Sequence, residues 1–413
     1  MRNALLLSYY FPPEPEAGAL RAGYMKKYLS ELGWNVDVVS RELAGCQSTA
    51  DVVRVRDRLS PSKARTVVAS PNVPKRSFAG AILRESAGFL CFPDRQVGWL
   101  PAATSAATRL IGRRQYHALL STGPPHSAHL AAALLSKRFR IPWVADYRDL
   151  WTGNPYQNVI RSGPLSAVLE RTVMRYASSI SIVAPALQDT LKRLLPAASI
   201  HVIPNGPDVV AEAPIESSAP TAFTICYTGL LYNGKRCPDP LFAAIRQLRD
   251  RQHAAGRLVT TDFYGPDEIY IRERAQAFDV ADCVNASGII PRDEVVRKQR
   301  QAAVLLILLN MDPRTAGEFG SKIFEYISAR RPILAIGPAN SVLRPLLQES
   351  GIGLFAADAC ACADALVQLY EGYQSGRHEF VQNPQWKPFD ARQMARAFAG
   401  LLDSASTAAI RET

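Results

Sequence analysis

The stretch Ala4-Leu5-Leu6-Leu7-Ser8-Tyr9-Tyr10 is followed by a proline-rich loop, a segment over residues 19–32 and the run Val36-Asp37-Val38-Val39. The first run is apolar, too short for a core helix, and reads as a buried strand. Leu20, Tyr24, Tyr28 and Leu32 recur every four residues and so share one helical face. Gly33 ends that helix, and 36–39 is a second strand. Strand, helix and strand in this order predict a parallel pair joined by a crossover helix.

The same alternation returns along the chain. It predicts strands at 118–121, 143–146, 180–184 and 200–203, with helices over 127–139 and 164–176. Residues 42–100 fit it poorly and read as an irregular, basic insertion with one or two helices. Residues 206–221 carry three prolines and no periodicity, which marks a linker. The alternation then restarts, with strands at 223–228, 260–264, 283–286, 304–309, 333–336 and 353–355. Helices fall near 239–251, from 267, and at 292–302, 321–329, 341–349 and 360–370. The fold class is therefore α/β, with two doubly wound, Rossmann-like domains facing each other across a cleft at the carboxyl ends of their parallel sheets. The expected boundaries are a first domain over 1–205, a linker over 206–221 and a second domain over 222–384. An amphipathic helix and tail follow over 385–413, with the option of crossing back to the first domain.

Composition narrows the class further. The 413 residues are 47% hydrophobic and 21% charged, values of a globular protein. The net charge of +11 is uneven: positions 1–205 hold 26 basic and 13 acidic residues, positions 206–413 hold 22 and 24. Such a field suits an anionic partner of the first half, such as a membrane surface or a phosphate-bearing acceptor. The 7 cysteines are odd in number, scattered and without a C-x-x-C pair, which suits a reducing cytoplasm. No apolar run approaches the ~20 residues of a membrane span. A cytoplasmic protein, peripheral at the inner face of the membrane, is the expected location.

Candidate chemistry lies at strand ends. In the second domain Gly229 and Gly265 follow strands, and Lys235 or Arg236 offers a cation for a phosphate. A glycine-bearing turn with solvated basic residues is the plain alternative. Further on, Gly320-Ser321-Lys322-Ile323-Phe324-Glu325-Tyr326 sits where a strand hands over to a helix. The free amides of Ser321, Lys322 and Ile323 would face a diphosphate there, and Glu325 would accept from ribose hydroxyls. In the first domain three loops end at strand carboxyl ends: Pro12 to Arg21 with Gly18, Ser121 to His126, and Asp146 to Trp151. Gly18 and Arg21 are the candidates facing the diphosphate or acceptor. His126 and Asp149 are the candidates for orienting acceptor or sugar; a helix-capping histidine and a structural Arg148–Asp149 pair explain them as well. His126 and His129 lack a third ligand, and no D-x-D pair exists, so no metal site is expected. Walker, dinucleotide and nucleophile-elbow motifs are missing too.

With these residues in view, the chain resembles the GT-B glycosyltransferases of the large retaining family 4, from Leu5 to about Tyr370. The resemblance is carried by SYYFPPEPEAGALRAGYMKKYLSELGWNVDVVS, STGPPHSAHL, IPWVADYRDLW, IHVIPNG, ICYTGLL and EFGSKIFEYISARRPILAIG. It implies transfer of a hexosyl group from a nucleotide diphosphate sugar, bound mainly by the second domain, to a glycan, lipid-linked or small-molecule acceptor bound by the first. It also implies retention of configuration, no metal and no cofactor beyond the nucleotide sugar, in bacterial cell-surface polysaccharide or glycoconjugate synthesis. Glu325 matches the family's ribose-binding glutamate, Ser321 to Ile323 the diphosphate-binding helix start, and Lys235 or Arg236 the phosphate ligands. Position 317, where the family commonly has a first glutamate, is glycine, which leaves the sugar open. A nucleotide-sugar epimerase of the same fold and a catalytically degenerate partner-binding relative are the rival readings. Nucleic-acid binding has no aromatic-interleaved basic motif to support it.

Overall fold

The computed structural model describes residues 2–14, 17–59, 92–154, 163–206, 219–232, 234–312, 315, 322–377 and 390–411. They divide into two compact units, Met1–Gly206 with Ala391–Thr413, and Pro207–Asp390. Residues 207–218 of the expected linker and 60–91 of the expected insertion lie outside the described residues.

The first unit is built on seven strands: β1 (Arg2–Ser8), β2 (Trp34–Arg41), β3 (Val52–Val55), β4 (Ala118–Gly123), β5 (Trp143–Tyr147), β6 (Ser179–Ile182) and β7 (Ile200–Val202). They pair in parallel in the order β3-β2-β1-β4-β5-β6-β7. The crossover helices are α1 (Ala17–Glu31), α2 (Leu100–Ile111), α3 (Ser127–Phe139), α4 (Pro164–Met174) and α5 (Pro185–Leu194). Leu5 pairs with Asp37 of β2 on one side and Leu119 of β4 on the other. Winding runs outward from β1 through β2 to β3, then restarts at β4. The carboxyl ends of β1 and β4 thus flank the switch point, where open sheets take their ligands. Leu5, Leu7 and Tyr9 enter one hydrophobic cluster, and Ala4 and Leu6 enter another. This alternation is why the run is apolar throughout: both faces of the strand are covered.

The second unit holds β8 (Thr224–Thr228), α6 (Asp239–Asp250), α7 (Ala254–Leu258), β9 (Thr260–Tyr264), α8 (Glu268–Ala277), β10 (Val284–Ala286) and α9 (Arg292–Gln301). There follow β11 (Val304–Leu308), α10 (Lys322–Ala329), β12 (Ile333–Ile336), α11 (Leu343–Ser350), β13 (Gly353–Ala356) and α12 (Ala359–Gln374). Its sheet runs β10-β9-β8-β11-β12-β13, again with the first strand, β8, at the reversal. In β11 Leu306 and Leu308 face one cluster while Leu305 and Ile307 face the other.

The last helix, α13 (Ala391–Arg411), belongs to the first unit. Met394, Phe398, Leu402 and Ala405 enter the cluster that contains Ala22, Met25 and Leu29 of α1. At ~1.5–3 kcal/mol for each large side chain fully buried, this is a substantial anchor. It also corrects the expected face of α1. The sheet-facing stripe is Ala22, Met25 and Leu29, whereas Tyr24 and Tyr28 meet Ala391 and Ala395 of α13, and Leu32 is exposed. The four-residue periodicity marks the face that α13 covers. Other differences from the sequence reading are β3, which lies within the supposed irregular insertion, and α2, α5 and α7, for which no helix was expected.

Candidate functional site

In the second unit four elements meet at the end of β8. The strand closes on Thr228 and Gly229, whose φ of 130° a side chain would strain. The Gly229 amide donates to the Tyr264 carbonyl over 2.7 Å, and a Cβ on Gly265 would fall 2.2 Å from the Gly229 carbonyl oxygen. The two glycines therefore let the loops after β8 and β9 close on each other. A Cβ on Gly229 would fall 2.4 Å from Nζ of Lys322, so the same glycine also makes room for the ammonium.

Lys322 opens α10. Its Nζ is buried without a hydrogen-bond partner and stands 4.0 Å from the centre of the Tyr227 ring. Burial, and then the nearby Arg236 charge, push the amine down to about 7, against the pull of Glu325 and Asp267. A buried cation with no acceptor is costly on its own and stabilised by an arriving anion. Arg236 stacks its guanidinium 4.5 Å from the Tyr232 ring centre, and its backbone bridges to Asn310 beyond β11. Lys235 is exposed. Of the two cations, Arg236 is the one placed close enough to act on Lys322. Asp267 shapes the loop by accepting from the Leu231 amide over 2.8 Å.

Glu325 stands one position short of a full turn along α10. Its Oε2 accepts from Arg292 over 2.9 Å and from Gln299 over 3.4 Å, and its side chain keeps 26% exposure. Gln299 also donates to Thr228 Oγ1 over 2.9 Å, which ties α9 to the strand end. Ile323 contributes a backbone amide in the first turn of α10, while its side chain is fully buried. Such first-turn amides have no intrahelical acceptor. Ser321 lies outside the described residues.

In the first unit the three expected loops do come together. Arg148, just after β5, lays its guanidinium on Gly18: a Cβ there would fall 1.2 Å from Nη1. Nη2 of Arg148 donates to the Pro124 carbonyl. His126 stacks face to face on Trp151, ring centres 4.9 Å apart. The imidazole is fully buried, neither ring nitrogen has a partner, and burial, then His129 and Arg148, hold it well below the usual range and neutral. His126 does not cap α3; Asp94 does, its carboxylate accepting from the amide and hydroxyl of Ser127 over 2.9 and 2.6 Å. Asp149 is exposed and near enough to favour the charged form of Arg148. His129 is a core residue, bonded through Nδ1 to Ser121 over 2.8 Å and pushed by burial to about 3.

Arg21 is a correction. Its side chain is 1% exposed and forms a two-pronged pair with Asp146 over 2.9 and 2.8 Å. The remaining donors go to the Ile203 and Pro204 carbonyls and to Asn205 Oδ1, with Met394 Sδ alongside. Every N–H is spent inside the unit, so Arg21 binds no diphosphate or acceptor. It locks α1 to β5 and to the end of β7. Asp146 takes two further donors, Thr122 and Ser181. Burial alone would raise its carboxyl; the Arg21 charge and these bonds hold it below the usual range. Asp94, Asp146, Arg148, Arg292 and Gln299 were not among the expected site residues, although Asp146 and Arg148 stand in a loop that sequence had singled out. Among the described residues no three histidine, cysteine or acidic side chains are grouped to hold a metal ion, and no helix is long and apolar enough to cross a membrane.

Two doubly wound units, each with glycine-bearing loops and cations at its strand ends, have the GT-B fold. Residues 18–206 match the family model of the glycosyl transferase 4-like domain. Solved structures align over nearly the full length. Sucrose-phosphate synthase from Thermosynechococcus elongatus is 15% identical with a TM-score of 0.63, over 98% of this chain and 97% of that one. A glycosyltransferase from Rickettsia africae is 10% identical with a TM-score of 0.61, over 98% of each chain. The UDP-GlcNAc 2-epimerase from Methanocaldococcus jannaschii is 10% identical with a TM-score of 0.52, over 98% of this chain and 100% of that one. At these identities the likeness is one of fold. No protein of curated function matches the chain by sequence. The chain has the GT-B fold, and its residues 18–206 match a glycosyl transferase 4-like domain.

Proposed function

We propose that the protein moves a hexosyl group from a nucleotide diphosphate sugar to an acceptor with retention of configuration and without a metal ion, in the synthesis of a bacterial cell-surface polysaccharide or glycoconjugate. The observation that carries this reading is the end of β8. There an unpartnered buried ammonium, a guanidinium and the amino end of α10 form a cationic recess, with Glu325 one turn away. Lys322 and Arg236 would neutralise the diphosphate as its bond to the sugar breaks, and the α10 amides would add their partial charge. Charge supplied this way makes a divalent cation unnecessary. Glu325 would accept from ribose hydroxyls while keeping its bond to Arg292.

Retention follows from attack on the face of the departing phosphate, whose oxygen takes the acceptor's proton, so no protein nucleophile is required. His126 and Asp149 are proposed to orient acceptor or sugar. A neutral imidazole suits that role, since it offers one donor and one acceptor. The basic first unit favours a lipid-linked acceptor at an anionic inner membrane face. Support comes from Lys137 and Arg175, which crowd the Tyr176 ring at 5.5 and 4.8 Å beside Arg138 and Arg140. Calorimetry with UDP, GDP, ADP and TDP tests the donor site. One of them should bind, and Glu325→Ala should weaken it by ~1.5–3 kcal/mol, the range for a charge-assisted bond. Unchanged affinity in a folded variant refutes the assignment.

A further inference from the structure

We propose that the first unit holds a site for an organic phosphate at the amino ends of β4 and β5, apart from the loops at their carboxyl ends. A pocket of about 650 Å³ opens there between the loop before β4, the loop before β5 and α13. Small-molecule sites span ~300–1,000 Å³, so the space suits a ligand larger than a bare ion. Strand β4 has six residues, about 17 Å of chain, and this separates the pocket from the Ser121–His126 loop. Arg113, Arg114 and His117 of the first loop and Arg140 of the second line the pocket. Ile111, Phe139, Ile141 and Pro142 supply an apolar wall. Among the described residues no acidic side chain takes part in the lining.

The balance of charge points to an anion. Asp37 accepts from Arg114 over 3.0 Å and from the Tyr116 hydroxyl, and it is itself buried outside the lining. It answers one arginine of the three. Arg113 and Arg140 are exposed and pair with no carboxylate among the described residues. Helix ends do not account for them. The carboxyl ends of α2 and α3 favour cations, but Arg109 in one and Lys137 and Arg138 in the other already stand in the last turns. Arg140 also occupies a left-handed position, φ 54°, where glycine is the easier residue. His117 adds a neutral donor: its Nδ1 accepts from the Asn3 amide over 3.0 Å, so the ring proton sits on Nε2. Ser406 of α13 donates to the His117 carbonyl over 3.1 Å and holds this loop in place. A concave surface lined by one sign of charge focuses the field on its ligand. Guanidinium forks match phosphate oxygens through paired hydrogen bonds, and the apolar wall suits the organic group that the phosphate carries.

The phosphate belongs either to a water-soluble ester or to a lipid headgroup, and two assays on the full chain separate the sources. Calorimetry with phenyl phosphate reads the first. For a soluble ester, the double variant Arg113→Gln with Arg140→Gln weakens phenyl phosphate by about 10- to 100-fold, the range of charge-assisted hydrogen bonds. Lys322→Met, which alters the cationic recess of the second unit, leaves that binding in place. Sedimentation reads the second source. For a lipid headgroup, the wild type prefers phosphatidylcholine vesicles carrying phosphatidic acid, a phosphate monoester, over vesicles of matched surface charge carrying phosphatidylglycerol. The double variant loses that preference. Both substituted side chains are exposed, so the fold is kept. Arg113→Lys with Arg140→Lys keeps the charge without the fork and should recover only part of the binding; full recovery would make the pocket a general attractor of anions and overturn the proposal. A wild type that binds phenyl phosphate no better than the double glutamine variant, and shows no preference between the vesicles, overturns it as well.

Discussion

Lys322 makes the binding of a nucleoside diphosphate depend on pH in a calculable way. Its ammonium is buried against Tyr227 and Gly229 without an acceptor, and its affinity for a proton has fallen from the ordinary 10.5 to about 7. A diphosphate restores the missing counter-charge, so the bound state favours the ammonium. Above pH 7 the free protein must therefore take up a proton on binding. With a free-state value of 7 and a bound-state value well above 9, raising the pH from 7.5 to 9.0 weakens binding about 24-fold, or ~1.9 kcal/mol by linkage. The unliganded fold responds with the opposite sign. Between about 7 and 10.5 the unfolded lysine holds a proton that the folded one does not, so stability rises with pH across that window. Calorimetric affinities at half-unit steps, for wild type and Lys322→Met, supply the test. The variant should bind more weakly at pH 7.5 and lose most of the slope. A flat profile in the wild type, or an undiminished slope in Lys322→Met, would refute the reasoning.

Three further outcomes follow from the same structure. Arg21→Ala strands Asp146 in the core and should destabilise the first unit by ~3–5 kcal/mol, measured by denaturant unfolding, whereas Glu325→Ala should leave stability nearly unchanged. Transfer activity should survive EDTA; activity that vanishes with chelator and returns with magnesium or manganese contradicts the charge supply assigned to Lys322 and Arg236. Anionic vesicles should sediment the protein at low salt and release it at high salt, and neutralising Lys137, Arg138 and Arg140 together should abolish the effect, because each surface cation contributes ~1 kcal/mol; equal, negligible binding to anionic and neutral vesicles contradicts the membrane reading.

The doubly wound fold was legible because its central strands are buried on both faces and appear as short apolar runs, as in 4–10 and 304–309. What escaped was structure whose apolar signal is weak. Helix α2 buries only Ala103, Ala106 and Ala107, small residues that hardly stand out from its threonines and serines. Strand β3 is four residues long, lies at the sheet edge and buries Val52 alone. Helix α1 misled for the opposite reason. It has two buried stripes, and the more conspicuous one faces a helix almost 370 residues further along, a partner that no local periodicity can announce.

The same contrast divides the candidate site. In the second unit the glycines and cations stand in short local arrangements, a strand end and a helix start, so Gly229, Gly265, Lys322 and Glu325 could be selected from spacing and are found around one strand end. In the first unit the roles of the arginines depend on where carboxylates arrive from far along the chain. An arginine three residues after a helix-opening glycine looks the same in sequence whether it points out to a ligand or in to a partner. Arg21 points in because Asp146, 125 residues away, meets both of its prongs. That one pairing removes Arg21 from the ligand side of the unit and makes it part of the core that holds α1 on the sheet.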